Sequence, residues 1–136
     1  MSTPITNTMN PTKTKKIALV GHCGPDASYL KLAVTRAVTG AQVVAADDER
    51  EVELLIQGGV DLLLLNRQLD YGFDTSEGIE LIRQIRAKYP QVKTMLISNY
   101  PDAQQAAVEA GALRGFGKRE IGSPRVTDVL REALGE

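Results

Sequence analysis

Tryptophan is absent from the 136 residues, cysteine occurs once, aromatic residues make up 4%, and the opposite charges nearly cancel at a formal net charge of −1. Each scarcity excludes something. A lone Cys23 rules out an intramolecular disulfide framework and a cysteine-based zinc site, and makes a reducing compartment, the cytoplasm, the expected location. Nucleic-acid binding needs a basic face to displace counterions from phosphates, and aromatics for stacking on single strands. Neither is present. Three of the sixteen basic residues, Lys13, Lys15 and Lys16, stand at the head of the chain, which leaves the remainder mildly acidic. No apolar run approaches the roughly 20 residues that span a bilayer, and the polar start lacks the apolar stretch of a signal peptide. Gly21-His22-Cys23-Gly24 lacks the further glycine and lysine of the phosphate-binding and dinucleotide fingerprints.

What is present suits one domain, since a chain of this size buries about two thirds of its extended surface on folding. Residues 1–14, rich in Ser, Thr, Asn and Pro, read as a flexible tail, and 15–136 as the folded domain. From Lys16 onward short apolar runs alternate with segments of helical period, the pattern of βα units closing a parallel sheet. Strands are predicted at 16–20 (KIALV), 41–46, 62–65 (LLLL), 92–98 and 113–117. Between them, one helix starts near Asp26 and a second is capped by Asp47. A third starts near Ser76 with Asp74 and Glu77 spaced like a capping box. A short Ala-rich helix opens at Pro101-Asp102, and the last has Ser123 as N-cap and Pro124 at its first position. The fold class is therefore α/β, a doubly wound (βα)5 sandwich of flavodoxin type with a five-stranded parallel sheet.

In such a sheet ligands bind beyond the carboxyl ends of the strands, where the strand order reverses. That rule nominates Gly21 and His22 after the first strand, Asn66 after the third, Ser98 after the fourth and Lys118 after the fifth.

The order and spacing of KIALV, DLLLLN at 61–66, GIELI at 78–82, LIS at 96–98, AGA at 110–112 and Lys118 after GFG resemble the receiver domains of two-component response regulators. The resemblance covers residues 15–136. It implies a phosphorelay module that takes a phosphoryl group from a histidine kinase onto an aspartate, with magnesium held by acids after the first strand. Carried over by position, the phosphoacceptor falls on Asn66, whose amide has no carboxylate oxygen to attack phosphorus. The metal-binding acids fall on Gly21 and His22, so Mg²⁺ binding is not expected and no cofactor is assigned. Ser98 and Lys118 do match the hydroxyl and ammonium that contact the phosphoryl group. The aromatic switch position falls on Gly115, and Arg119 stands where a proline is usual. The loop between Asn66 and Gly78 is longer than the pattern.

Several alternatives stay open in the sequence. Asn66 is either an amide satisfied by backbone or a ligand group. Lys118 either pairs with Asp70, Asp74 or Glu120, or captures an anion in a pocket without a carboxylate. Ser98 bonds a loop carbonyl or a ligand. Asp70 and Asp74 are helix and turn caps, or a displaced phosphoacceptor pair. The functional expectation is an atypical receiver-like module without catalysis of its own, working independently of phosphorylation through a protein partner, a histidine kinase or an output protein, or as a homodimer. The rival expectations are a sensor of a small anion or phosphometabolite, and a receiver phosphorylated on a loop aspartate.

Overall fold

The computed structural model describes residues 14–70 and 72–135. The predicted tail lies outside the described residues except for Thr14. Five parallel strands form one sheet in the order β2-β1-β3-β4-β5: β1 Lys16–Val20, β2 Gln42–Ala46, β3 Leu62–Asn66, β4 Thr94–Ile97 and β5 Leu113–Phe116. The connecting helices are α1 Gly24–Ala37, α2 Glu49–Gln57, α3 Gly78–Lys88, α4 Pro101–Glu109 and α5 Pro124–Ala133, with a 3₁₀ turn at Lys118–Glu120. This is the α/β, flavodoxin-like architecture expected from the alternating pattern.

Side-chain alternation sorts the strands onto two cores. Ile17, Leu19, Leu62, Leu64, Met95 and Ile97 face α1 and α5. Ala18, Val20, Leu63, Leu65 and Leu96 face α2, α3 and α4. Leu62 to Leu65 are fully buried, because a central parallel strand is covered on both faces and needs no polar alternation. The order reverses at β1, which pairs with β2 on one side and β3 on the other. The ends of β1 and β3 therefore open the crevice.

Some boundaries differ from the sequence expectation. The cap of α2 is Asp48, not Asp47: its carboxylate accepts the Glu51 N–H at 2.8 Å, while Glu51 reaches back to the Asp47 N–H at 2.7 Å. The capping box at Asp74 and Glu77 does not form. Helix α3 starts at Gly78, because Asp74 gives its N–H to Glu49 instead and residues 67–70 and 72–77 are drawn into a separate knob. Ser123 stands at the N-cap of α5, but its hydroxyl makes no capping bond.

Candidate functional site

The chain leaves β1 through Gly21, where φ is +74° and a Cβ would come within 2.6 Å of Leu69. The positive φ favours glycine there, and a Cβ would in addition push the Leu69 methyl aside. The next side chain, His22, places Nε2 2.9 Å from the Leu64 carbonyl. A carbonyl only accepts, so Nε2 donates and Nδ1 is the unprotonated nitrogen, buried and without a partner among the described residues. Burial lowers the imidazole pKa to about 4; Lys118 acts in the same direction, against the Leu64 carbonyl and Asp26. The ring is neutral at physiological pH.

Asn66, the last residue of β3, spends both amide hydrogens on backbone: Nδ2 donates to the Gly21 carbonyl at 3.2 Å and to the Gln68 carbonyl at 2.9 Å. It thereby ties the β1–α1 loop to the β3–α3 loop. The latter is a folded knob. Gln68 bridges Glu77, Leu69 N–H donates to Ser76 and Gly78 N–H to Arg67. Leu69 and Phe73 are buried in the sheet core, and the Gly72 carbonyl accepts from Glu49 at the start of α2. Hydrocarbon thus lies over Gly21. Asp70 and Asp74 are exposed on the knob, and neither lines the cavity at Asn66.

That cavity, about 160 Å³, is bounded by Asn66, Arg67, Ser98, Asn99, Tyr100 and Lys118. The structure brings the predicted Asn66, Ser98 and Lys118 together. Ser98 is buried and its Oγ accepts the Tyr100 N–H at 3.1 Å. Lys118 corrects one expectation. Its partner is none of Asp70, Asp74 and Glu120 but Asp26 in the first turn of α1, with Nζ 2.7 Å from Oδ2, so a carboxylate stands beside the lysine, although Asp26 does not itself line the cavity. The Lys118 ammonium, followed by a weaker bond from Cys23, holds the Asp26 carboxyl below its usual range. Glu120 instead accepts from the Gly117 N–H and from Arg125.

This donor set does not fit Mg²⁺. The ion takes several hard oxygens in near-octahedral array. Here the first-strand positions offer a glycine and an imidazole, the third strand a single amide oxygen, and the one carboxylate is engaged by an ammonium. Among the described residues no three His, Cys, Asp or Glu side chains gather as a metal-binding group.

At the far edge of the sheet lies Gly115, onto which the resemblance carries the aromatic switch position. A Cβ there would overlap the Leu96 carbonyl oxygen. The β4–β5 register slips between Met95↔Leu113 and Ile97↔Phe116. The buried Gln104 of α4 fills the gap: Oε1 accepts the Gly115 N–H at 3.0 Å, and Nε2 donates to Leu96 at 2.9 Å and Ser98 at 3.1 Å. Nothing in the sequence pattern singled out Gln104 or Asp26. The only available signal was that both are polar residues in first helical turns at the sheet's carboxyl edge.

No family model matches the sequence, and no curated protein is similar to it. Solved structures are similar in shape. The signal receiver domain of an HD domain-containing protein from Pseudomonas fluorescens Pf-5 is 21% identical with a TM-score of 0.72, over 90% of this chain and 88% of that one. The beryllofluoride-activated NtrC4 receiver domain dimer gives 19% and 0.72 over 90% and 98%. The non-phosphorylated receiver domain of the stress response regulator RcsB from Escherichia coli gives 12% and 0.70 over 91% and 96%. With its strand order, its crevice at the ends of β1 and β3, and Ser98 and Lys118 beside Asn66, the chain has the fold of response-regulator receiver domains.

Proposed function

We propose that this chain is a receiver module of two-component signalling that acts without phosphorylation at the end of β3, through contacts with a protein partner rather than through catalysis of its own. The partner is a histidine kinase or an output protein of the same pathway, or a second copy of the chain.

The observation that carries this reading is the bonding of Asn66. Its amide donates to two carbonyls, Gly21 and Gln68, a task that a carboxylate, which only accepts, cannot perform. The site is organised around an amide and not merely short of an acid. The poor donor set for Mg²⁺ and the apolar knob over Gly21 support the same conclusion. Gly115 and the bulge spanned by Gln104 leave no aromatic at the switch position, and the aromatic that β5 does carry, Phe116, is buried in the core facing α1 and α5.

Treatment with a small acyl-phosphate donor and Mg²⁺, followed by intact-mass and peptide mass spectrometry, tests the proposal. The expected result is no gain of a phosphoryl group. A phosphoryl group on Asp70 or Asp74 would replace it with the displaced-acceptor reading. In the same experiment the full chain bearing Asn66→Asp is also expected to remain unmodified, because the magnesium ligands are missing too.

A further inference from the structure

We propose that the outward face of α1, with the groove beside it, is a self-association surface on which a second copy of this chain docks its own α1 antiparallel, about a two-fold axis passing between Leu32 and Ala33. The inference rests on the reading of the chain as an interaction module and narrows the partner to a second copy.

Among the described residues, Tyr29, Leu32, Leu54, Tyr100 and Leu113 are the large apolar side chains left exposed. Three of them need no partner. Leu54 and Leu113 stand singly on α2 and β5, as scattered surface leucines do, and Tyr100 carries the Arg67 guanidinium 4.9 Å from its ring centroid. Tyr29 and Leu32 differ, because they sit three residues apart on one face of α1, 62% and 45% exposed. They border a groove of about 350 Å³ between α1 and α5, with Ala33 on the same side and Ile121, Pro124 and Val126 opposite. Arg36 continues the row four residues after Leu32 and lines the same groove. It forms no ion pair among the described residues. The cations that lie over aromatic rings do so at Tyr100 and Tyr89, not at Tyr29.

One helix face thus presents an uncovered ring and an unpaired cation about 10 Å apart, two turns along the axis, with a leucine and an alanine between them. Laid antiparallel against itself, that row is self-complementary. Tyr29 meets Arg36 of the second copy at both ends, where the guanidinium is attracted to the ring, and Leu32 meets Ala33 of the second copy in the middle. An isologous interface demands this reciprocity. Charge does not oppose the pairing: α1 sets Lys31 and Arg36 against Asp26, and α5 sets Arg125 and Arg131 against Asp128 and Glu132. The face is nearly neutral, so a strongly charged partner gains little on it and a second copy is not repelled. A surface one α1 long and two helices wide offers about 400 Å² per copy, against about 800 Å² in a standard interface. The dimer is therefore weak and concentration-dependent.

Sedimentation equilibrium of the full chain between roughly 10 μM and 1 mM tests this. The weight-average mass is expected to climb toward twice that of the chain. Leu32→Glu should hold it at the monomer value, because two carboxylates then meet beside the axis. The helix tolerates that change, since the new acid stands four residues before Arg36, and circular dichroism should be unaltered. Tyr29→Ala and Arg36→Ala should each weaken association about tenfold, and the double variant little more, because either change already breaks both ring–cation pairs. Leu54→Glu adds the same charge on α2 and should leave association unchanged. In a Cys23→Ser background, Leu32→Cys should couple to its copy through a short bifunctional thiol cross-linker and Leu54→Cys should not. The proposal is overturned if the wild type stays monomeric over the whole range, if Leu32→Glu still dimerises, or if Leu54→Glu dissociates the dimer as fully. A monomer would leave this face to a different protein and leave the mass-spectrometric test of phosphorylation untouched, so the two readings fail separately.

Discussion

Two side-chain amides do backbone work at the carboxyl edge of this sheet, and they do it in different surroundings. Gln104 is buried and supplies both a donor and an acceptor where the β4–β5 ladder slips, bonding Leu96 and Gly115. Asn66 is only partly buried and supplies donors alone, to two loop carbonyls at the crevice. Water can reach the groups around Asn66 if its side chain is changed; it cannot reach those around Gln104. The same functional group is thus structural at the β4–β5 edge and adjustable at the β1–β3 crevice, and the difference lies in access to solvent rather than in chemistry.

Replacing Gln104 tests the first half of the contrast most severely. Gln104→Leu preserves apolar bulk but orphans the Leu96 carbonyl and the Gly115 N–H, each buried group costing about 1–3 kcal/mol. Chemical denaturation should report a loss of about 2–5 kcal/mol with an unchanged m-value. A loss below 1 kcal/mol would mean that water enters the bulge, and the contrast with Asn66 would collapse.

His22 gives a second comparison within the crevice itself. Its pKa is about 4 in the fold against 6.5 for an unperturbed group, so between those values the unfolded chain binds more protons than the native one. Stability should rise with pH through that window, and acidification from 6.5 to 4 should remove on the order of 3 kcal/mol. As the only histidine in the chain, its ring is assigned without ambiguity by NMR titration. A midpoint near 6.5 would show that the imidazole is solvated, and that the crevice is looser than the bonds of Asn66 imply.

The smallest effect is expected at Asn66. Asn66→Asp sets a carboxylate against the Gly21 and Gln68 carbonyls, partly relieved by solvent and by Lys118 nearby, and should cost about 1 kcal/mol at neutral pH. The repulsion favours the protonated acid, so the native pKa lies above the unfolded one and the deficit should shrink as the pH falls through it. Thermal melts of the variant and the wild type at several pH values would check this. A variant more stable than the wild type at pH 7 would show that the site prefers an acid after all.

The elements were legible because they follow from local rules. The four leucines of β3, the glycine and proline punctuation and the helical apolar spacing each act within a few residues. The crevice was legible as well, since the reversal of strand order follows from five alternating units, and it brings Asn66, Ser98 and Lys118 to one cavity. The partners of those residues were not. Lys118 and Asp26 lie 92 positions apart and meet only because α1 and the β5–α5 turn share one edge, while nearer acids in the sequence are drawn elsewhere: Glu120 to Arg125, and Asp70 and Asp74 to the exposed knob. The burial of Leu69 and Phe73 was hidden for a related reason, because two apolar residues in a polar loop have no periodicity to reveal them. Gln104 patches a register slip, and such a slip is a property of strand pairing rather than of either strand alone.

The knob at 67–70 and 72–77 also bears on what sequence change can accomplish here. An aspartate introduced at position 66 finds Gly21 and Gln68 presenting carbonyls, a histidine and a glycine where the resemblance puts metal ligands, and leucine and phenylalanine packed over Gly21. On that reading an acyl-phosphate site at position 66 calls for changes at the first strand, the third strand and the loop together, each unrewarded without the others. Under the proposed function, mutation one position at a time meets a ratchet.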